Sequence, residues 1–343
     1  MIYRKKNNIT YNFGIKDIAS VIVLLLIFQA KLHTQEIELT QFDYGLLLLN
    51  PANTGNFDGD WRIAGNFRNQ NVATTKPFRT AIINFDMPLY ILGQKIGVGV
   101  FLLNDESGEG GLSFNKFYGS LGYSRSIANN FIGLGLQGGM VYGGFDSWGV
   151  WDRNSGTFTA PSGEPSASLK TDYFDFNMGV VYKKSIGFIE PEIGVSVSHI
   201  NYPKNSFLDD DGEREALKMN AYTFIKTKVT DRIFFTPKIL FAGKSNSNFT
   251  VAGTDAGYNL LGNTTTLKRI FIGAYAVDGI TRELNSISAQ IGATISRIDI
   301  ILNYDIPVSS ASQVGKMSAF EITFIYKSIS TVLNSYSIPC ERY

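Results

Sequence analysis

The amino-acid sequence repeats one pattern along most of its length. Short segments alternate between apolar and polar residues, and turn-forming residues separate them. In residues 286–296, isoleucine and alanine occupy the odd positions, whereas serine, glutamine and threonine occupy most even positions. Residues 298–305 and 320–326 repeat the alternation. Because successive side chains of a β-strand point to opposite faces, this period of two predicts strands with one apolar and one polar face.

Alternation alone fits both a soluble β-sandwich and a transmembrane β-barrel, but three further features favour the barrel. The strands are about ten residues long, which is the length that a tilted strand needs to cross a bilayer. The polar face carries charges of both signs, such as Asp86, Lys238 and Glu321, which a dry sandwich core could not hold. Tyrosines near strand ends match the aromatic girdles of membrane barrels: Tyr90, Tyr123, Tyr142, Tyr182 and Tyr326.

The connections between the predicted strands alternate in length. Those after even-numbered strands are mostly tight, as in ILGQK, IANN and KSIG, whereas those after odd-numbered strands are mostly long. This asymmetry predicts an all-β fold, a transmembrane antiparallel β-barrel of about 14 strands at residues 59–330, with short periplasmic turns and long extracellular loops. We expect strands to begin near Trp61, Thr80, Lys95, Phe117, Phe131, Tyr173, Ile189, Met219, Arg232, Phe249, Lys268, Asn285, Ile298 and Ala319.

Both ends of the chain lie outside the predicted barrel. Arg4, Lys5 and Lys6 precede the apolar stretch Ile18–Phe28, and this order predicts a secretory signal peptide at residues 1–34. No later run of apolar residues is long enough for a membrane-spanning helix. An even number of strands places both ends of the barrel at the periplasmic side, so residues 331–343 are predicted to form a periplasmic tail.

Residues 35–58 form a pre-barrel segment that contains the sequence YGLLLLNPANTG. Its leucine run is too short to cross a membrane, and the following Asn-Pro disfavours a helix. The segment is also too apolar to hang free in water, so we expect a periplasmic plug in the mouth of the lumen or a contact with a partner at the periplasmic rim. A third possibility is that Leu46–Leu49 extend the first strand.

Two parts of the sequence resemble a known family. Gln41, Phe42, Asn50, Pro51, Ala52 and Gly55 reproduce its pattern near the mature N-terminus, and residues 303–327 resemble its closing hairpin. The terminal PCERY is similar to its short cysteine-containing tail, although Glu341 and Tyr343 depart from it. The family is PorP/SprF of the type IX secretion system. The resemblance implies an outer-membrane barrel that helps a large secreted protein, such as a gliding adhesin, to reach the cell surface, or that belongs to the core machinery.

Composition argues against several other functions. The net charge of +1 offers no basic field for nucleic acid, and two histidines and one cysteine leave few groups for metal or nucleophile chemistry. The glycine spacing at residues 133–138 fits a dinucleotide fingerprint, but the residues after it alternate as in a strand. The acidic residues 209–215 lack the spacing of an EF-hand. We therefore expect no catalytic residue, cofactor or metal, and His199 as a strand-end histidine.

The sequence and the resemblance together suggest a non-enzymatic component that binds the C-terminal domain of a secreted cargo protein, or the translocon at the periplasmic face. Outer-membrane lipid would cover the apolar face. The alternative is a passive channel for solutes or hydrophobic compounds, although lumen charges of both signs also suit a filled lumen. We expect the loops at residues 145–172 and 200–218 to grip the cargo. The candidate partner contacts are Leu46, Leu48, Asn50, Pro51, Trp148, Trp151, Tyr202 and Phe207.

Overall fold

Fourteen antiparallel strands close into a barrel in which each strand pairs with its neighbours along the barrel order, and the first strand pairs with the last. A computed structural model describes residues 38–70, 77–107, 111–145, 149–152, 157–161, 170–206, 214–244, 247–260, 266–278, 283–310 and 318–331. The strands are β1 (Arg62–Gln70), β2 (Phe78–Ile91), β3 (Gln94–Ser107), β4 (Leu112–Ile127), β5 (Asn130–Phe145), β8 (Lys170–Lys184), β9 (Ile189–Ser198), β10 (Lys218–Lys228), β11 (Ile233–Lys244), β12 (Ser247–Asn259), β13 (Leu267–Val277), β14 (Ser286–Ile295), β15 (Ile298–Pro307) and β16 (Ala319–Lys327).

The predicted fourteen-stranded antiparallel barrel is confirmed. One difference lies in β4, which begins at Leu112 rather than near Phe117. Its ladder with β5 continues beyond Phe117, where the outward side chains are no longer apolar. Two further strands, β6 (Gly149–Asp152) and β7 (Thr157–Pro161), form a separate two-stranded sheet in the connection between β5 and β8. No helix in the described ranges is long and apolar enough to cross a membrane.

The barrel has an apolar outer face and a polar inner face. Ile291, Leu302 and Ile322 point outward and are exposed, whereas Gln290 and Glu321 point inward and are buried. This arrangement is the reverse of a soluble domain, and it suits a wall that is surrounded by lipid and encloses a polar lumen.

The two ends of the barrel differ in their connections. At one end, the turns after β2, β4 and β14 are two residues long. Their first residues, Leu92, Ala128 and Ser296, have φ of 51°, 52° and 57°, the left-handed geometry of tight hairpins. At the other end lie the long connections, including residues 146–169 and 199–217, although β11 and β12 are joined there by two residues only. We name these the short-turn end and the long-loop end.

Candidate functional site

Residues 38–60, which we name the plug, lie inside the barrel. They form a 3₁₀ turn at Phe42–Tyr44, a short helix α1 at Leu46–Leu49 and a second 3₁₀ turn at Pro51–Asn53. The side chain of Asn50 accepts a hydrogen bond from the Ala52 N–H (2.9 Å) and caps the second turn. The possibility that Leu46–Leu49 extend β1 is therefore wrong, because the leucines form a helical turn, and the twelve residues 50–61 separate that turn from β1.

The start of the plug is held near the long-loop end of β1, β15 and β16. The backbone N–H groups of Thr40 and Gln41 each donate to the Glu321 carboxylate (2.8 Å). The Thr40 hydroxyl donates to Asp305 (2.8 Å), and Arg68 forms ion pairs with both Asp305 (3.3 Å) and Glu321. All these wall groups are buried or nearly so, and the inward charges therefore hold the plug as well as one another.

A buried cation holds the middle of the plug. Lys238 of β11 pairs with Asp43 of the plug and with Asp255 of β12 (2.5 Å). Its ammonium also lies 5.1 Å from the centre of the Tyr44 ring, and that ring stacks on Phe271 at 6.5 Å. Burial raises the pKa of the Asp43 carboxyl above its usual value, while Lys238 opposes the shift.

The NPANTG part of the plug packs directly on the backbone of the wall. Gly97, Gly122, Gly135 and Gly179 are successive cross-strand neighbours on β3, β4, β5 and β8, and we name them the glycine row. The Thr54 carbonyl lies against the first two, Pro51 and Ala52 lie against Gly135, and the Asn50 side chain lies against Gly179. A β-carbon at any of the four positions would overlap the plug, so this contact requires glycine.

The end of the plug is held at the short-turn end. The Gly55 N–H donates to Asp86 (2.7 Å), which pairs with Arg62 (2.7 Å). Lys95 donates to the Phe57 carbonyl (3.3 Å). The plug therefore runs from the long-loop half of the lumen towards the short-turn end. The sequence predicts the whole segment at the periplasmic side, but the described part also reaches into the long-loop half. Hydropathy carries no information about the direction of a chain inside a lumen.

Between the plug and strands β10 and β11, the described residues enclose a narrow crevice. A crevice lined by Leu39, Phe42, Leu49, Lys218 and Leu240 has a volume of about 10 Å³, which is the room of one water molecule. Lys218 also forms an ion pair with Glu38 (2.7 Å). Apolar packing and charge pairing thus fill this part of the lumen together.

The candidate contact residues fall into two groups. Leu46 and Leu48 are half-buried and Asn50 and Pro51 are buried, so the plug presents all four to the interior of the barrel. Tyr202 is exposed in the turn after β9. Trp148 and Phe207 lie outside the described residues, as do residues 1–34 and Cys340, and for Trp151 only the backbone in β6 is described.

The other sequence motifs are structural. The glycines at residues 133–138 lie within β5, which continues as a strand, so the dinucleotide fingerprint has no helix to follow it. His199 follows the end of β9, and its Nδ1 lies 3.0 Å from Asp175, which accepts a hydrogen bond from the Tyr118 hydroxyl (2.6 Å). Within the described ranges, no group of three or more histidine, cysteine or acidic side chains could hold a metal. Most of the acidic run at residues 209–215 lies outside those ranges.

Residues 32–326 match a family model described as type IX secretion system membrane protein PorP/SprF. The chain belongs to the PorP/SprF family. The match covers most of the chain and confirms the resemblance inferred from residues 41–55 and 303–327. Together with the barrel, it identifies an outer-membrane protein. Short turns face the periplasm in barrels of this kind, and we therefore expect this orientation here. No curated protein matches the sequence.

Solved structures show the same fold. The monoaromatic hydrocarbon channel CymD aligns over 83% of this chain and 93% of its own, with 9% identity and a TM-score of 0.50. The toluene transporter TodX of Pseudomonas putida aligns over 82% of this chain and 92% of its own, with 10% identity and a TM-score of 0.50. At this identity the likeness concerns the architecture of the barrel alone.

Proposed function

We propose that this PorP/SprF protein is a non-enzymatic component of the type IX secretion system that binds the C-terminal domain of a secreted cargo protein, or the translocon, and supports export or surface attachment of the cargo. The occupation of the lumen by residues 38–60 carries this proposal. A barrel whose interior is occupied by its own chain does not offer a water-filled passage. Its two ends and its wall remain as surfaces that can bind partners.

The attachment of the plug supports this interpretation. Buried charges hold it at three depths, through Glu321, Lys238 and Asp86. Removing one partner of a buried pair leaves an uncompensated charge, which typically costs about 3–5 kcal/mol. Such anchors favour a plug that stays in place over one that solutes displace by diffusion.

We assign cargo binding to the long-loop end and contact with the machinery to the short-turn end. Four of the candidate contact residues, Leu46, Leu48, Asn50 and Pro51, already contact or face the barrel interior. The proposed cargo contacts are therefore Trp148, Trp151, Tyr202 and Phe207, because aromatic side chains in loops commonly anchor protein interfaces. The periplasmic partners would meet the short turns, which include the exposed Leu92 and Phe188.

Conductance in a planar bilayer tests whether the barrel works as a scaffold or as a passive channel. We expect the intact protein to show no ion conductance and a variant lacking residues 38–58 to conduct ions. Strong conductance by the intact protein would instead favour the alternative of a channel for solutes or hydrophobic compounds.

Partner recovery tests the secretion role directly. The protein would be purified from gently solubilised outer membrane, and the bound proteins identified by mass spectrometry. We expect a large secreted protein or periplasmic machinery components, and less cargo with the variant Trp148→Ala/Trp151→Ala/Phe207→Ala. The lipid-facing substitution Tyr304→Ala serves as a control that should leave recovery unchanged. Recovery of the barrel alone, under conditions that keep other complexes intact, would contradict the proposal.

A further inference from the structure

The seam between β8 and β9 has the shortest ladder of the barrel among the described residues. Only residues 178–183 of β8 pair with β9, six positions in all, although β5 pairs with β8 along residues 170–184. The ladder between β15 and β16, the next shortest, has eight pairs. Towards the long-loop end, residues 170–177 of β8 therefore form an edge with which β9 does not pair in the described part of the chain.

The side chain of Asn201 and the backbone of Ile200 take the place of a paired strand at part of this edge. The Asn201 amide donates to the Phe174 carbonyl (2.6 Å) and accepts from the Phe176 N–H (3.1 Å), as a paired strand residue would. The Ile200 N–H donates to the Phe176 carbonyl (3.0 Å). The chain leaves the ladder at His199, whose φ of 62° is incompatible with a continued strand.

The plug holds the same seam from inside. Nδ2 of Asn50 donates to the carbonyls of Val180 on β8 (3.0 Å) and Val195 on β9 (3.2 Å). The carbonyl of Leu49 accepts from Ser196 of β9 (2.6 Å) and from Asn220 of β10 (3.2 Å). The plug thus bridges three strands at the place where the ladder between two of them is shortest.

We propose that the β8–β9 seam is a lateral gate, closed by Leu49 and Asn50 from inside and by Asn201 at the edge, and that the opened edge of β8 pairs with an extended strand of an exported protein. This proposal rests on the function proposed above. Closure by a ladder of six residue pairs and a few further hydrogen bonds can be exchanged for pairing with another strand, because an incoming backbone supplies the same donors and acceptors.

The chemistry of the edge selects a polypeptide. Backbone N–H and C=O groups need hydrogen-bond partners, which a hydrocarbon or a lipid tail cannot provide. Phe174 and Phe176 point outward beside the edge, with ring centres 4.6 Å apart, and both are exposed. An incoming strand with apolar residues at alternate positions would pack its outer side chains against these rings.

Hydrogen exchange of the purified protein in lipid tests the gate without any cargo. In Asn50→Ala, we expect amides of residues 178–183 and 192–197 to exchange about tenfold faster than in the wild type, since two hydrogen bonds across the seam are lost. Amides of the β15–β16 ladder should not change. The plug variant Thr40→Val, which loses a contact at another seam, should leave the β8–β9 amides protected. If amide exchange in Asn50→Ala became faster by the same factor in all ladders, the proposed gate would be overturned.

A disulfide lock tests whether the seam opens during export. In a Cys340→Ser background, the register partners Met178→Cys and Val197→Cys would join β8 to β9, and Leu302→Cys with Ile322→Cys would join β15 to β16 as the control. Each variant would replace the native copy, and exported proteins on the cell surface would be quantified before and after reduction.

We expect the β8–β9 lock to lower export to the level of cells without the protein, with recovery upon reduction, while the control lock supports normal export. Normal export with the β8–β9 lock formed would overturn the gate. If cells lacking the protein export normally, the proposed secretion function fails, and the exchange measurement decides the gate by itself.

Discussion

Gly179 of β8 contacts Asn50 of the plug so closely that a β-carbon at position 179 would overlap the Asn50 side-chain oxygen. Two segments that lie far apart in the sequence are thus complementary at the level of single atoms. The same Asn50 amide donates to carbonyls of β8 and β9 and caps its own 3₁₀ turn. The Asn-Pro-Ala pattern of the plug and the glycines of the wall therefore form one structural unit.

We predict that Gly179→Ala displaces the part of the plug around Asn50 from the wall. The added methyl group has to push Asn50 away, and overpacking of this kind typically costs about 1–3 kcal/mol. Measured in lipid, the variant should show a lower unfolding temperature and new protease cleavage within residues 38–60. Gly119→Ala is the matched control, because the nearest atom to its β-carbon is 4.0 Å away on the wall. Equal stability of the two variants would contradict the role of the glycine row.

We predict that Lys238→Met strongly destabilises the protein, because it leaves the carboxylates of Asp43 and Asp255 without their buried cation. The loss should be about 3–5 kcal/mol in the free energy of unfolding near neutral pH. Lys327→Met removes a cation that pairs with Asp299 at 3.6 Å and is 43% exposed. This control should cost at most about 1 kcal/mol.

The stability of Lys238→Met should also depend on pH. Burial already raises the pKa of Asp43, and the lysine opposes that shift, so its removal raises the pKa further. A carboxyl whose pKa is higher in the folded than in the unfolded state binds more protons when folded. The variant should therefore become more stable as the pH falls towards the unfolded-state pKa of about 3.9. Unfolding measured between neutral and mildly acidic pH checks this, and a loss of stability over that range would contradict it.

We predict that the two ends of the plug are reached from opposite sides of the outer membrane. In a Cys340→Ser background, a membrane-impermeant maleimide should label Glu38→Cys in intact cells, because Glu38 lies beside Lys218 at the long-loop end of β10. Asp58→Cys should be labelled only after the outer membrane is permeabilised. Labelling of both positions in intact cells, or of neither, would show that the plug does not run in the observed direction.

We predict that the contact between the two ends of the barrel chain weakens in acid. The Thr331 hydroxyl and N–H donate to Asp60 at 2.6 and 2.9 Å, and these hydrogen bonds lower the pKa of Asp60. Stability from a lowered carboxyl pKa is present above the unfolded value of about 3.9 and disappears as the pH falls through the folded value. The amide of Thr331 should thus stay protected from exchange at neutral pH and lose protection below about pH 4. In Asp60→Asn, the protection of the Thr331 amide should not change with pH over this range.

The barrel could be predicted because its signals are local. The alternation of residues 286–296 and the two-residue turns at residues 92–93 and 128–129 each act within a few positions of the chain. Taken together, these local signals indicated the number of strands, the apolar outer face and the end with short turns. The ladder of β4 beyond the apolar belt was missed, because hydrogen bonding with β5 continues where the outer side chains turn polar.

The plug could be predicted only in part. Its apolar leucines indicated that residues 35–58 avoid water, but they did not distinguish a packed helical turn from an extension of β1. Lys238 pairs with Asp43, which lies 195 positions away in the sequence. Glu321 binds Thr40 and Gln41, which lie 281 and 280 positions away. No local pattern carries such information, since each charge by itself suits any polar lumen.

By itself, the sequence determined a membrane barrel of the PorP/SprF family, because periodicity and short motifs depend on neighbouring residues. Only the tertiary structure decided the path and direction of the plug, the alignment of Gly97, Gly122, Gly135 and Gly179 into one row, and the short β8–β9 seam that Asn50 bridges. The physical reason is that these features arise from strand register and from contacts across the lumen, which closure of the barrel creates.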